Sequence, residues 1–229
     1  MSTRRSRRLL SLALTMLIAL VSAFAALAVS GGRDAAAHGS NHGTAAPIVN
    51  QKQLAFRNDM RKLWEDHVTW TRLAIISLTT GSPDTDATVG RLLQNQVDIG
   101  NAIKPFYGDA AGAQLSGLLR DHILIAADLI AAAKAGDASA VADAQERWTA
   151  NADEIAAFLA AANPRSWPRD DMKAMLHDHL ALTTTEALAR LHGDWDADVA
   201  AYDKIHVQAL GMADMLSTGI IKQFPARFR

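Results

Sequence analysis

The chain has 229 residues, 49% of them apolar, with 23 Lys and Arg against 24 Asp and Glu and no cysteine. That supports one domain with a sizeable core, and the missing cysteines exclude a disulfide framework, a thiolate metal site, a cysteine nucleophile and a lipidated amino-terminal cysteine. Alanine is abundant, while the 14 Gly and 6 Pro fall mostly between periodic runs, a composition that favours helix.

At the amino terminus, Arg4, Arg5, Arg7 and Arg8 precede an uncharged run from Leu9 to Ser30, then Gly31-Gly32 and Ala35-Ala36-Ala37. Basic, apolar and small-residue stretches in that order are the pattern of a signal peptide. At 22 residues the run is also long enough to cross a bilayer as a retained anchor, its arginines on the cytoplasmic side. Residues 1–37 are therefore read as signal or anchor and 38–50 as a flexible polar tether. The domain at 51–229 is expected outside the cytoplasm, either secreted or held at the outer face of the membrane. Without residues 1–37 the balance is 18 basic against 23 acidic residues, about −5. Nucleic acid is a poor partner for such a surface, and membrane contact is expected only through an uncleaved amino terminus.

Six amphipathic helices follow. The first opens at Asn50 and runs to about Thr80, with Met60, Leu63, Trp64, His67, Trp70, Ala74 and Leu78 on one stripe. Gly81-Ser82-Pro83 ends it, and the second helix runs from about Asp86 to Tyr107, bent near its end by Pro105. The third spans about Ala113 to Ala135, stops at Gly136, and Asp137 caps the fourth, which Asn163-Pro164 breaks. The fifth spans about Pro168 to His192, and Gly193-Asp194 repeats the stop and cap before a sixth, from about Trp195 to Lys222. No stretch alternates at period two, so no sheet is expected.

The six form three copies of one hairpin, at about 51–108, 112–164 and 168–225. Asp66-His67, Asp121-His122 and Asp178-His179 are each followed fourteen residues after the histidine by Gly81, Gly136 or Gly193, and fifteen residues later by Gln96, Asn151 or Gln208. Residues seven, four and three before each histidine, and three after it, are large and apolar in all three copies, so the imidazoles share the inward face. The amides share theirs with Val89, Leu93 and Ile103, with Ala144, Trp148 and Phe158, and with Ala201, Ile205 and Met215. Six buried polar groups need partners, since each left unpaired costs about 1–3 kcal/mol.

Two arrangements satisfy them. Either each imidazole bonds an amide and the pairs fix helix register, or His67, His122 and His179 converge on a zinc, copper or iron ion, with Asp66, Asp121, Asp178, Gln96, Asn151 and Gln208 as supporting groups. Glu-x-x-His and His-x-x-x-His are absent, so any ligands come singly from separate helices. Nothing in the chain has the form of a phosphate loop, a nucleophile elbow or a paired-carboxylate motif, so the leading expectation is not an enzyme but an envelope module that binds a metal or a small ligand in its polar core, with a non-catalytic structural or partner-binding protein as the alternative.

The stretches LWEDHVTWTRLAIIS, NAIKPFYGD, HILIAADLIAAAKAGD, NADEIAAFLAAANP and KQFPARF, across about Leu54 to Phe228, resemble an uncharacterised exported helical family of Gram-positive bacteria. Some of its members carry glycosyltransferase or acetylglutamate kinase labels. The resemblance implies an exported all-helical domain and brings no activity. A nucleotide-using enzyme would show βα alternation, which this chain lacks. The hairpins are expected either to close into a ring with the histidines on its axis or to pack as a four-helix bundle with a flanking pair.

Overall fold

The computed structural model describes residues 50–229, so the signal or anchor and nearly all of the tether lie outside the described residues. Six helices follow one another: α1 (Gln51–Thr80), α2 (Thr85–Tyr107), α3 (Asp109–Ala135), α4 (Ala138–Ala162), α5 (Arg169–His192) and α6 (Trp195–Gln223), then a short 3-10 turn, Pro225–Phe228. Among the described residues there is no strand, and no helix is long and apolar enough to cross a membrane.

The glycine-based turns form as expected. Gly81, Gly136 and Gly193 take the left-handed conformation, with φ of 68°, 71° and 72°. The next residue in each case reaches back to a carbonyl five positions earlier, Ser82 to Ser77, Asp137 to Ala132 and Asp194 to Ala189, which ties off the helix end. Asp137 and Asp194 then accept amide hydrogens from the first turns of α4 and α6, at 3.1 Å. These tight reversals make the helices of each hairpin antiparallel neighbours.

One boundary differs. The third helix starts at Asp109, not near Ala113, because Gly108 alone (φ 86°) reverses the chain between α2 and α3. The reversal brings two backbones together. A Cβ on Gly100 would lie 2.5 Å from the Gly112 carbonyl oxygen, and one on Gly112 would lie 2.7 Å from that of Gly100. Gly100→Ala is therefore expected to push α2 from α3 and cost at least 2 kcal/mol, about the scale of an overpacked core. Gly90→Ala, on the same helix with nothing within 4 Å, should instead stabilise by about 0.5–1 kcal/mol. Urea melts of the two variants check the contrast.

Each helix packs on its neighbours in sequence, α6 packs on α1, and α1 also touches α3 and α5 across the middle. The hairpins thus close into a ring. The closing seam is polar on its outside: Arg57 donates to Thr218 at 2.7 Å, Arg61 pairs with Asp214 at 2.7 and 2.5 Å, and His206 meets Glu65 at 2.8 Å. At one end Asn50 Nδ2 donates to the Phe228 carbonyl at 2.5 Å, and Phe228 packs between Phe56 and Phe106 with centroids at 5.2 and 5.6 Å. Every residue placed on the inward stripes is buried or half-buried, so the helical period correctly located the core.

Candidate functional site

The inward stripe of each odd-numbered helix delivers one histidine to the middle of the ring. His67, His122 and His179 are 3–4% exposed. The ring of His179 lies 5.9 Å from that of His67 and 6.0 Å from that of His122, centroid to centroid, so the three repeats meet in one imidazole layer. Trp64 packs edge-on against His67 at 5.5 Å and Trp148 lies 5.2 Å from His122, so the rings are walled by indoles.

Each imidazole meets the amide of its own hairpin through Nδ1. Asn151 Nδ2 donates to the Leu118 carbonyl at 3.1 Å, which turns Oδ1 toward His122 Nδ1 at 2.9 Å. Gln208 does the same with Met175 at 3.0 Å and His179 at 3.1 Å. With the amide oxygen facing the ring, Nδ1 carries the proton and donates, and Nε2 is left with its lone pair.

The first repeat departs from this plan. Asn95, one residue earlier, donates to the Leu63 carbonyl at 3.0 Å, while Gln96 presents its nitrogen to His67 Nδ1 at 3.3 Å and to the Leu92 carbonyl at 2.8 Å. His67 Nδ1 therefore accepts, and its proton sits on Nε2. The buried Gln96 Oε1 has no partner. Asn95 is fully buried and was missed by counting only the +29 position, although the Asn95-Gln96 doublet is itself an unusual pair of amides on a core helix.

Burial, with a smaller push from the neighbouring imidazoles, lowers His67 and His122 from 6.5 to about 3, and burial lowers His179 in the same direction. The layer is neutral across the physiological range. Among the described residues no hydrogen bond reaches Nε2 of any of the three rings, and no group of three or more His, Asp or Glu side chains is arranged to hold a metal ion.

The aspartates expected beside the imidazoles face away from them. Asp121 and Asp178 are exposed, and Asp66 pairs with Lys62 at 2.6 Å and Arg91 at 3.7 Å. Consecutive helix positions are about 100° apart, so a residue next to an axial histidine turns out of the layer. Asp153, two residues after the Asn151 amide, is salt-bridged to Lys173 and His177, both at 2.7 Å.

A second buried polar group has no counterpart in the sequence expectations. Glu186 and Asp198 are each 1% exposed. Arg72 reaches Glu186 at 2.9 Å and grips Asp198 through both terminal nitrogens, and Arg190 meets Asp198 at 3.2 Å. Burial pushes the Glu186 carboxyl up, and Arg72 opposes it. The signal was available: Glu186 lies seven residues past His179 on the inward stripe, where the other repeats place Ala74 and Leu129. Asp198 likewise lies three before the inward Ala201.

Replacing Asn151 by Leu should isolate the weight of one imidazole–amide link. It strands the His122 Nδ1 donor and the Leu118 carbonyl at once, an expected cost of about 2–4 kcal/mol. For a domain of this size that is about 5–15 °C in Tm, read by calorimetry.

Fold and site together define a closed ring of six helices with a neutral imidazole layer on its axis. No protein-family model matches the chain, and no curated protein or solved structure is detectably similar to it.

Proposed function

We propose that the protein is an exported, non-catalytic helical module of the cell envelope whose buried imidazole–amide pairs set the helix register within each of its three hairpins, leaving the closed ring as a rigid scaffold for partner binding. The observation that carries this reading is the way each imidazole is answered within its own hairpin, Nδ1 to an amide and, in every repeat, an amide to the carbonyl four residues before the histidine. Those links satisfy the ring nitrogens nearest the outer helices with no ligand. They fix how far α2, α4 and α6 can slide along their partners. Export rests on the basic and apolar amino-terminal pattern.

A second reading has one specific observation behind it. Nε2 of each imidazole has no hydrogen-bond partner among the described residues, and the ring of His179 lies 5.9 and 6.0 Å from the other two. A metal-bound histidine donates its remote N–H to an amide or carboxylate, as His122 and His179 donate theirs; His67 would match them once the Gln96 amide turned its unpaired Oε1 to Nδ1 and the proton moved there from Nε2, and a single zinc, copper or iron ion among His67, His122 and His179 is then the alternative occupant. Elemental analysis of the full chain purified without an affinity tag separates the two. Less than about a tenth of an equivalent of metal, unchanged after incubation with zinc, supports the register reading. One equivalent lost in His179→Ala overturns it in favour of the metal site.

A further inference from the structure

One helical turn below the imidazole layer the ring is not filled. A cavity of about 40 Å³ lies there, walled by side chains from all six helices and by Trp167 of the α4–α5 turn. Trp64, Leu119 and Leu176, each three residues before a histidine, separate it from the imidazoles. Ile99, Ile155 and Leu216 are among the residues that close its sides.

We propose that this cavity is a binding site for one small, uncharged, apolar molecule. Its walls present no polar surface. A single water needs about 10–15 Å³ and two to four polar partners; the space is large enough, but the only unpartnered polar atoms among its wall side chains, Trp64 Nε1 and Trp167 Nε1, turn no surface toward it, and such cavities stay dry and take apolar guests. Protein interiors rarely keep voids above the size of a water, and here the void is built by equivalent turns of the repeat, not by one misfitting side chain. Thirteen of the sixteen wall residues are buried, and the three that are partly exposed, Tyr107, Phe158 and Ala162, mark where the wall comes nearest the surface. The volume limits the guest to about three water-sized bodies in line, which selects short hydrocarbons, dissolved gases and similar molecules and rejects anything charged.

Two of the wall residues are indoles, Trp64 and Trp167, and they report on occupancy. The full chain is titrated with xenon under pressure and followed by xenon NMR and tryptophan fluorescence. Saturable binding with quenching is expected. Ile99→Phe, which fills the space, should weaken xenon at least tenfold, and Leu216→Ala, which enlarges it, should admit benzene and gain Tm on adding it. Absence of a saturable xenon site in the unmodified chain overturns the proposal, as does undiminished binding in folded Ile99→Phe. Should Ile99→Phe fail to fold, Leu216→Ala decides alone: no benzene-dependent rise in Tm rejects the site. His179→Ala removes the axial ligand reading yet leaves these walls in place, so the xenon result is independent of what the imidazoles hold.

Discussion

Acid should unfold this domain earlier than its carboxylates would, with stability falling steadily from pH 6.5 toward about 3. An imidazole in the unfolded chain takes up its proton near 6.5, whereas His67 and His122 in the ring hold out until about 3. Between those values the unfolded state binds more protons, so stability falls as pH falls. The shift is worth on the order of 5 kcal/mol for each ring, set against a total of about 5–15 kcal/mol for a typical domain. His179 shifts the same way. Glu186 opposes the trend, because its raised carboxyl gains stability as the pH drops toward its unfolded value. The lowered Asp84, Asp153 and Asp214 add to the loss only near and below 3.8. Urea melts followed by circular dichroism across this range should show the midpoint falling with pH. The double variant His122→Leu with Asn151→Leu, which removes one buried ring and its amide together, should flatten part of the slope. A profile level from pH 6.5 to 4 would mean that the imidazoles are already protonated or wet, and would remove the basis for a neutral layer.

That layer was legible in the sequence because a helix repeats every 3.6 residues, and the stripe on which a residue lies reports whether it points inward. His67, His122 and His179 passed that test and are buried. Asp66, Asp121 and Asp178 fail it by one position, and helix geometry alone would have placed them outside. What the stripe does not report is which helix stands opposite. Ring closure depends on pairs such as Arg61 with Asp214 and Glu65 with His206, about 150 and 140 residues apart in the chain, and no period links them. Asn95 escaped for a different reason. Two adjacent amides share the task one residue performs in the other repeats, so a rigid spacing rule found Gln96 and passed over the residue that holds the Leu63 carbonyl. The amino-terminal reading falls outside the described residues.

Arg72→Met is expected to be the most damaging single substitution on the closing seam, costing about 3–5 kcal/mol, the usual result of removing one partner from a buried ion pair. Arg72 comes from α1, Glu186 from α5 and Asp198 from α6, so one guanidinium joins the first hairpin to both helices of the third. It also lies 5.2 Å over the ring of Tyr202, which adds a cation–π contact to the same corner. Without it, Glu186 and Asp198 remain almost fully buried, and only Arg190, on Asp198, is left to answer them. Two carboxylates in that position either take up a proton or pull water into the seam, and both loosen α1 from α6. The cost should therefore shrink at low pH, where protonation relieves the pair, whereas the loss through the imidazoles grows there. Chemical melts of Arg72→Met at two pH values distinguish the effects. Replacing the cluster as a unit, Arg72→Met with Glu186→Leu and Asp198→Leu, should recover much of the loss, because apolar groups of similar size need no partner. If the triple variant is no more stable than Arg72→Met, packing of the arginine stem and not burial of unanswered charge is what holds the ring shut.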